Sequence, residues 1–470
     1  MNFHLTDTEI ATYLKYAKLN LPRHTSYPAV PYWQDHFPLQ NVLEALTNLN
    51  STQNPISLYL HIPFCQQLCF YCACNKEIYP ELKQKKHDPR ETLITGLLQE
   101  IAFYARALPG KRVEQIHFGG GTPTFLSPEQ LLRIFDALNA SFEISEDAEI
   151  AVEIDPRVTT YQHLEALRKG GCNRVSLGVQ DFSPKVQAAI NRIQPYAMVA
   201  ETLAQCRSLG FSSINFDLIY GLPFQTLASM QETLSYTLKL SPDRIAFYRL
   251  ALIPEIFKWQ KSFGREHLPS ESENVSLFLT ALNTFTQGGY EFIGLDHFAK
   301  RDELLAEAST NKTLRRNFQG MTTGKALAIL GIGPSAVSQV PGFFWQNEKN
   351  TGDWLAALDG EQRFFHKGLK LSADDLIRQE FIHEIYCYGK IDWQEMNKRL
   401  ARDAVDYFKE DVRSLESLAA EGLLSLDTGG FELSPILGRL LARLIASRFD
   451  RYLQQEENAA GQGIRFSQLG

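Results

Sequence analysis

From residue 56 onward the chain alternates short, β-rich apolar runs with amphipathic helical stretches, and few architectures accept that alternation. The runs at 56–61, 115–118, 149–154, 174–179, 214–219, 244–249 and 292–295 read as strands. Between them, residues 91–107 carry apolar side chains at helical spacing. Residues 127–138 open with Ser127 as a helix N-cap and Glu129-Gln130 in the first turn. Strand–helix–strand repetition builds a parallel sheet with helices outside it. Six or seven such units favour an α/β partial or full barrel over a flat, doubly wound sheet. The strand ends carry the chemistry. They run into Gly119-Gly120-Gly121-Thr122-Pro123-Thr124, Glu153-Ile154-Asp155-Pro156, Gly178-Val179-Gln180-Asp181, Tyr220-Gly221-Leu222-Pro223 (after Asp217) and Asp296-His297. In a βα barrel these ends share one face, so a single composite site is predicted there.

The first strand delivers a run of cysteines. Cys65, Cys69 and Cys72 are spaced C-x3-C-x2-C, and Cys74 follows. Three thiolates can hold three corners of a cubic iron–sulfur cluster and leave the fourth iron open for chemistry. Structural zinc asks for four closed ligands, usually two pairs separated by a longer loop. No second pair exists, since Cys172, Cys206 and Cys387 are each alone. Seven cysteines in a long chain without a secretory signal make a disulfide framework a poor reading. The expectation is an iron–sulfur site with one open iron, in a reducing cytoplasmic setting.

The net charge of −7 argues against non-specific nucleic-acid binding. It also means that an anionic substrate needs a local basic lining. Residues 1–18 mix charges into a helical pattern and lack an apolar signal core. The most apolar stretch, 326–345, is interrupted by Gly331, Gly333, Pro334 and Pro341, so no membrane span is expected. The expected organisation is an N-terminal extension (1–50), a βα barrel (51–300), a barrel-associated connecting region (301–370) and a mainly helical C-terminal domain (371–470). Within the last, 418–426, the turn Asp427-Thr428-Gly429-Gly430 and 431–433 are similar to a winged-helix hairpin. In an acidic chain a lid or docking role suits it better than DNA binding.

With the cysteine loop and the strand-end motifs together, the chain resembles the radical S-adenosylmethionine enzymes. More closely, it resembles the oxygen-independent coproporphyrinogen III oxidases (dehydrogenases) of haem biosynthesis. The resemblance runs from about residue 21 to 453. It is carried by Pro22-Arg23-His24-Thr25-Ser26-Tyr27-Pro28, residues 58–64, Cys74-Asn75-Lys76 and the glycine run at 119–124. Residues 178–182, 217–223, Asp296-His297-Phe298-Ala299 and Arg316-Asn317-Phe318-Gln319-Gly320 continue it. It implies a partial, TIM-like barrel as the radical S-adenosylmethionine core, with Cys65, Cys69 and Cys72 binding a 4Fe–4S cluster. One S-adenosylmethionine would chelate the open iron and touch Tyr59, Tyr71, Gly120, Glu153 and Val337. A second would touch Gly121, Thr122, Gln180, Arg192, Asp217 and Ala251. Cys74 would be needed for activity without being a ligand. The implied reaction uses a 5′-deoxyadenosyl radical to convert two propionates of coproporphyrinogen III to vinyl groups. The family also implies a cytoplasmic monomer supplied by a low-potential electron donor.

A substrate with four propionates needs basic groups near the barrel mouth. Arg23, Arg249, Arg315 and Arg316 are candidates, with His24 and His61 as possible polar contacts. The chain departs from the family pattern in four places. Leu250-Ala251-Leu252 stands where Tyr-Ala-His is usual, His24 replaces a tyrosine, and Met321 replaces an aromatic. These positions bear on substrate placement and proton handling, not on the cluster. The alternatives are a radical enzyme acting on another tetrapyrrole and a related haem-binding chaperone. Cys74-Asn75-Lys76 and the Arg-x-Thr-Ser-Tyr-Pro run at 23–28 favour the oxidase over the first, and Cys74, Gln180 and Arg192 favour it over the second.

Overall fold

The computed structural model of the chain describes residues 3–80, 88–324, 326–359, 364–458 and 466–469. One sheet dominates it. Its strands are β1 (Gln34–Pro38), β2 (Ile56–Ile62), β3 (Arg112–Gly120), β4 (Glu143–Ile154), β5 (Arg174–Gln180), β6 (Ser213–Tyr220) and β7 (Arg244–Arg249). β8 (Tyr290–Gly294), β9 (His297–Lys300), β10 (Ala328–Ile332), β11 (Val337–Val340), β12 (Phe343–Gln346) and β13 (Phe364–Lys370) complete it. The order is β1-β13-β12-β11-β10-β2-β3-β4-β5-β6-β7-β9-β8. Neighbours from β10 through β7 pair in parallel. The order does not return on itself, so this is an α/β partial barrel, as expected.

The parallel strands alternate: apolar residues such as Ile116, Val152, Val175 and Phe216 are buried in the core, while Gln115, Glu149, Arg174, Asn215 and Asp217 line the interior of the barrel. In β2, six of seven residues are buried. Helices Pro89–Ala107, Pro128–Ser141, Tyr161–Lys169, Tyr196–Ser208 and Leu227–Leu240 make the crossovers. The Ser127 cap forms as read from the sequence: Gln130 N donates to Ser127 Oγ at 3.3 Å, and Ser127 N to Gln130 Oε1 at 2.9 Å.

Two parts of the chain differ from the sequence reading. Residues 292–295 do not continue the parallel rhythm. β8 and β9 form an antiparallel hairpin, and β9 runs antiparallel to β7. Only Leu295 and Asp296 separate β8 from β9, far too few residues for a crossover helix. Asp296-His297 therefore lies at a hairpin turn and not behind a parallel strand. The stretch 301–370 is also more regular than expected. β10 to β13 and β1 continue the main sheet through antiparallel pairs.

Residues 3–50 divide between two cores. Val42, Ala45, Leu46 and Leu49 pack into the barrel core, whereas Leu5, Tyr13, Ala17 and Tyr27 pack with the C-terminal helices. The hairpin expected near residue 427 is present. Leu424–Leu426 and Gly430–Leu433 pair antiparallel, and Lys390–Asp392 joins them. Among the described residues no helix is long and apolar enough to cross a membrane.

A buried carboxylate locks the outer helices to the strand beside β2. Gly96 lets helix Pro89–Ala107 approach Thr351–Asp359, since a Cβ there would lie 2.5 Å from Leu355 and 2.6 Å from Trp354. One turn on, buried Glu100 accepts from Gly333 N at 2.8 Å, Asn347 Nδ2 at 3.0 Å and Trp354 Nε1 at 3.1 Å. Glu100→Ala leaves those buried donors without their acceptor. The expected cost is about 3 kcal/mol. It should appear as a lower denaturant midpoint at unchanged slope.

Candidate active site

The cysteine loop leaves β2 and is fastened along its length. Gly121 N donates to Ile62 O at 2.8 Å, Thr122 N to Phe64 O at 2.8 Å, and Glu77 N to Pro63 O at 2.7 Å. The segment after β7 holds the loop from the other side. Trp259 Nε1 donates to Cys72 O at 3.0 Å, and Gln260 Nε2 donates to Tyr71 O at 3.1 Å and Ala251 O at 2.9 Å. Lys76 Nζ donates to the carbonyls of Cys72 (3.0 Å) and Cys74 (3.3 Å), and lies 4.3 Å from the Trp259 ring centroid.

The loop presents Cys65, Cys69 and Cys72 to one cavity of about 690 Å³. All seven cysteines are free thiols. Cationic groups face the sulfurs. Cys69 Sγ lies 3.4 Å from Arg157 Nη2 and 3.6 Å from Arg192 Nη1. Asp155 aligns both guanidiniums, at 2.7 Å and 3.0 Å. Burial opposes ionisation of Asp155, but Arg192 and then Arg157 outweigh it and hold the carboxyl at about 2. Cys72 is drawn down to about 6, first by a hydrogen bond from the Cys74 thiol and then by Lys76 and Arg192 against the pull of burial. Burial instead pushes Cys65 up to about 11. Among the described residues no three His, Cys, Asp or Glu side chains converge as a single metal ion would require. A cubic cluster asks instead for one thiolate at each of three separate irons. Three free thiols around one cavity, with guanidiniums to offset their charge, fit such a cluster.

The far wall of this cavity is built for close approach. A Cβ on Gly121 would lie 2.7 Å from the Pro63 and Phe64 backbone; one on Gly120 (φ +112°) would lie 2.5 Å from the His61 ring. A ligand can therefore lie flat against the glycine run. Two carboxylates of different character flank it. Glu153 accepts from His117 Nε2 at 3.1 Å and Gly120 N at 3.3 Å. These bonds outweigh burial and hold it below the usual carboxylate range. Asp217 accepts from Ser176 Oγ at 2.8 Å and Asn215 Nδ2 at 2.9 Å. Burial, and then the charge of Glu153, push it up to about 6.

A second cavity, about 530 Å³, adjoins the first, and Cys74 and Tyr248 line both. Cys74 is exposed and faces both volumes. The second cavity is basic: Arg23, Arg249, Arg316, Arg439 and Arg443 line it. Arg249 is neutralised by Glu271 at 2.7 and 2.8 Å. The other four make no ion pair among the described residues, so a polyanion finds uncommitted positive charge there.

The comparisons with known proteins agree with this geometry. The model of the Radical SAM superfamily matches residues 59–237. The chain is similar to the oxygen-independent coproporphyrinogen III oxidase of Escherichia coli (strain K12), at 38% identity over 97% of this chain and 98% of that one. It is also similar to the oxidase of the same name from Synechocystis sp., at 40% identity over 93% of each. The solved structure of coproporphyrinogen III oxidase from Escherichia coli, described as a radical SAM enzyme, superposes with a TM-score of 0.88. That match has 36% identity and covers 96% of this chain and 100% of that one. The chain belongs to the oxygen-independent coproporphyrinogen III oxidase family. Like the family's other members it is a radical SAM enzyme, and membership implies a 4Fe–4S cluster and S-adenosylmethionine.

Most residues singled out from the sequence of this family member meet in the first cavity. Tyr71, Gly120, Gly121, Thr122, Glu153, Gln180, Arg192 and Asp217 line it with the cysteines. Three do not. Ala251 is tied to the Tyr71 carbonyl through Gln260. Tyr59 stacks on His117 and bonds His61 Nδ1 at 3.0 Å. Val337 packs its backbone against Gly331, which pairs with Tyr59 in the ladder. Of the basic candidates, Arg315 is outside the second cavity's lining and paired with Glu380 at 3.2 Å. His24 is enclosed between Tyr386 and Asp450, at 2.9 and 3.0 Å. His61 Nε2 donates to Asn75 O in the cysteine loop at 3.0 Å. Sequence reasoning missed Arg157, which stands two residues beyond Asp155 and was discoverable. It also missed Trp259, Gln260, Arg439 and Arg443, which carry no local signal.

Asp217 yields a pH prediction. Its folded value lies above the unfolded one, so between about pH 4 and pH 6 the native protein holds the extra proton. That stabilisation is complete below pH 4 and lost as pH rises through 6. Asp217→Asn removes the dependence. Before cofactors are loaded, the wild type should lose about 2 kcal/mol relative to the variant between pH 4 and pH 7. Urea unfolding at the two values measures it.

Proposed function

We propose that this enzyme converts two propionate side chains of coproporphyrinogen III to vinyl groups, giving protoporphyrinogen IX. The observation that supports it best is the pair of joined cavities. One presents three thiols and a glycine wall; the other carries four unpaired arginines; Cys74 and Tyr248 stand between them. In this reading Cys65, Cys69 and Cys72 hold the cluster. Tyr59, Tyr71, Gly120, Glu153 and Val337 serve one S-adenosylmethionine, and Gly121, Thr122, Gln180, Arg192, Asp217 and Ala251 a second. When bound, cluster and S-adenosylmethionine supply a radical that takes a hydrogen atom from carbon. Each propionate gives up one hydrogen atom, one electron to an external acceptor and one carbon dioxide.

The chain's own residues position and shield. The arginines hold the rim carboxylates and bring one propionate to the opening beside Cys74 and Tyr248. Glu153 and Asp217 accept from ligand hydroxyls or an ammonium group. Arg192, fixed by Asp155, places positive charge against Cys69. The enzyme acts as a cytoplasmic monomer fed by a low-potential donor. The test is anaerobic reconstitution followed by assay with S-adenosylmethionine, reductant and coproporphyrinogen III. Loss of two carboxylates with methionine formation is the expected result. Methionine release without decarboxylation sinks the substrate assignment. Tight haem binding without cofactor cleavage makes the protein a chaperone.

A further inference from the structure

We infer that Asp296 accepts the pyrrole N–H groups of the bound macrocycle, so that the arginine-lined cavity reads the centre of its ligand as well as its rim. This deepens the reading above and rests on it. Asp296 sits in the two-residue turn between β8 and β9 and lines the arginine cavity. Its backbone is fixed, since its carbonyl accepts from Phe247 N at 2.7 Å. The turn that carries it is strained: Leu295 is held at φ 51°, a conformation that a branched side chain seldom adopts. Strain of this kind persists where the surroundings over-determine it, often at binding sites.

The carboxylate has no hydrogen-bond or ion-pair partner among the described residues. That sets it apart from its peers. Glu149 is paired by Arg174 and Arg244, Asp155 by Arg157 and Arg192, and Glu271 by Arg249. Asp296 feels Arg23, Arg316 and Arg443 at a distance, without contact, while burial raises its pKa. Two of those arginines are bonded elsewhere. Arg316 donates to His24 O, and Arg443 donates to Gln468 O at 2.8 Å and Ser467 O at 3.0 Å. A second group beside it is also unsatisfied. His297 lines the same cavity, and its buried Nδ1 has no partner.

An ionised carboxylate only accepts hydrogen bonds. The carboxylates at a tetrapyrrole's rim offer it no donor and repel it. A porphyrinogen, however, turns four N–H groups toward its centre, and a carboxylate there meets all of them. An oxidised porphyrin has the same rim and only two N–H groups, held in a flat ring. Asp296 is thus placed to select the reduced macrocycle.

The experiment titrates anaerobic, reconstituted enzyme with coproporphyrinogen III and, separately, with coproporphyrin III. The wild type is expected to prefer the porphyrinogen. Asp296→Asn should weaken porphyrinogen binding about 30-fold or more, the range for a charge-assisted hydrogen bond. Porphyrin affinity should stay the same or rise, because a negative charge has left an arginine cavity. Asp296→Glu should recover part of the preference. Two results overturn the inference: no preference in the wild type, or an unchanged preference in the asparagine variant, equal weakening of both ligands included. If the asparagine variant does not fold, judged by iron content, the wild-type preference and the glutamate variant decide. A wild type that binds neither ligand rejects the functional reading itself. A wild type that decarboxylates coproporphyrinogen while Asp296→Asn binds it normally rejects only the role of Asp296.

Discussion

Replacing Cys65, Cys69 or Cys72 singly with serine is expected to cut bound iron from about four per chain to below one and to abolish S-adenosylmethionine cleavage. The serine oxygen is a harder donor than a thiolate and a poor substitute at iron. Two remaining thiols cannot hold three corners. In Cys69→Ser the Arg157 and Arg192 guanidiniums would also lose the sulfur they face. Cys74→Ser is the informative contrast. Cys74 lines both cavities and donates to Cys72 without sharing its role. It should keep its iron and still cleave the cofactor, yet lose decarboxylation. Iron analysis, methionine release and product analysis on four single variants separate the two outcomes. Equal iron loss in all four would place Cys74 among the ligands.

The second large effect concerns the basic cavity. Arg316→Met should weaken coproporphyrinogen III binding about 100-fold, with cofactor cleavage in the absence of substrate unchanged. Arg316 is half-buried, packs 4.7 Å from the Tyr386 ring centroid and has no acidic partner among the described residues. Burial lowers its pKa, so the bound anion regains what the free protein gives up. Losing one charge-assisted, doubly bonded contact costs about 1.5–3 kcal/mol. Arg316→Lys should recover only part of it, because an ammonium cannot make the planar fork. Arg249→Met should matter less for affinity, since Glu271 already neutralises that guanidinium. A KM increase that is larger in Arg249→Met than in Arg316→Met would reverse this ranking.

The barrel was legible because period and strand-end chemistry agree. The strands from Ile56 to Arg249 and the cap at Ser127 follow from apolar spacing and turn residues that act locally. The hairpin at Leu295-Asp296 was not legible, since a short β run says nothing about the direction of its neighbour. β11 and β12 are four residues each, too short for a periodic signal. At the site, the cysteines and glycines were visible because their chemistry requires fixed spacing. The arginines were visible only in part: Arg23, Arg249 and Arg316 were named and line the second cavity, but which of them carry uncommitted charge was not readable. Arg249 and Arg315 look like free charges in sequence, and only the fold reveals Glu271 and Glu380 beside them. Arg439 and Arg443 reach the cavity because the C-terminal region folds back over it.

The grip of Trp259, Gln260 and Lys76 on the cysteine-loop carbonyls bears on how the protein matures. Those bonds involve protein atoms alone, so none of them depends on iron. Assembly then requires no folding of the loop around the metal. Its rate should scale with iron and sulfide supply, and a preparation stripped of metal should accept it again without passing through a denatured state.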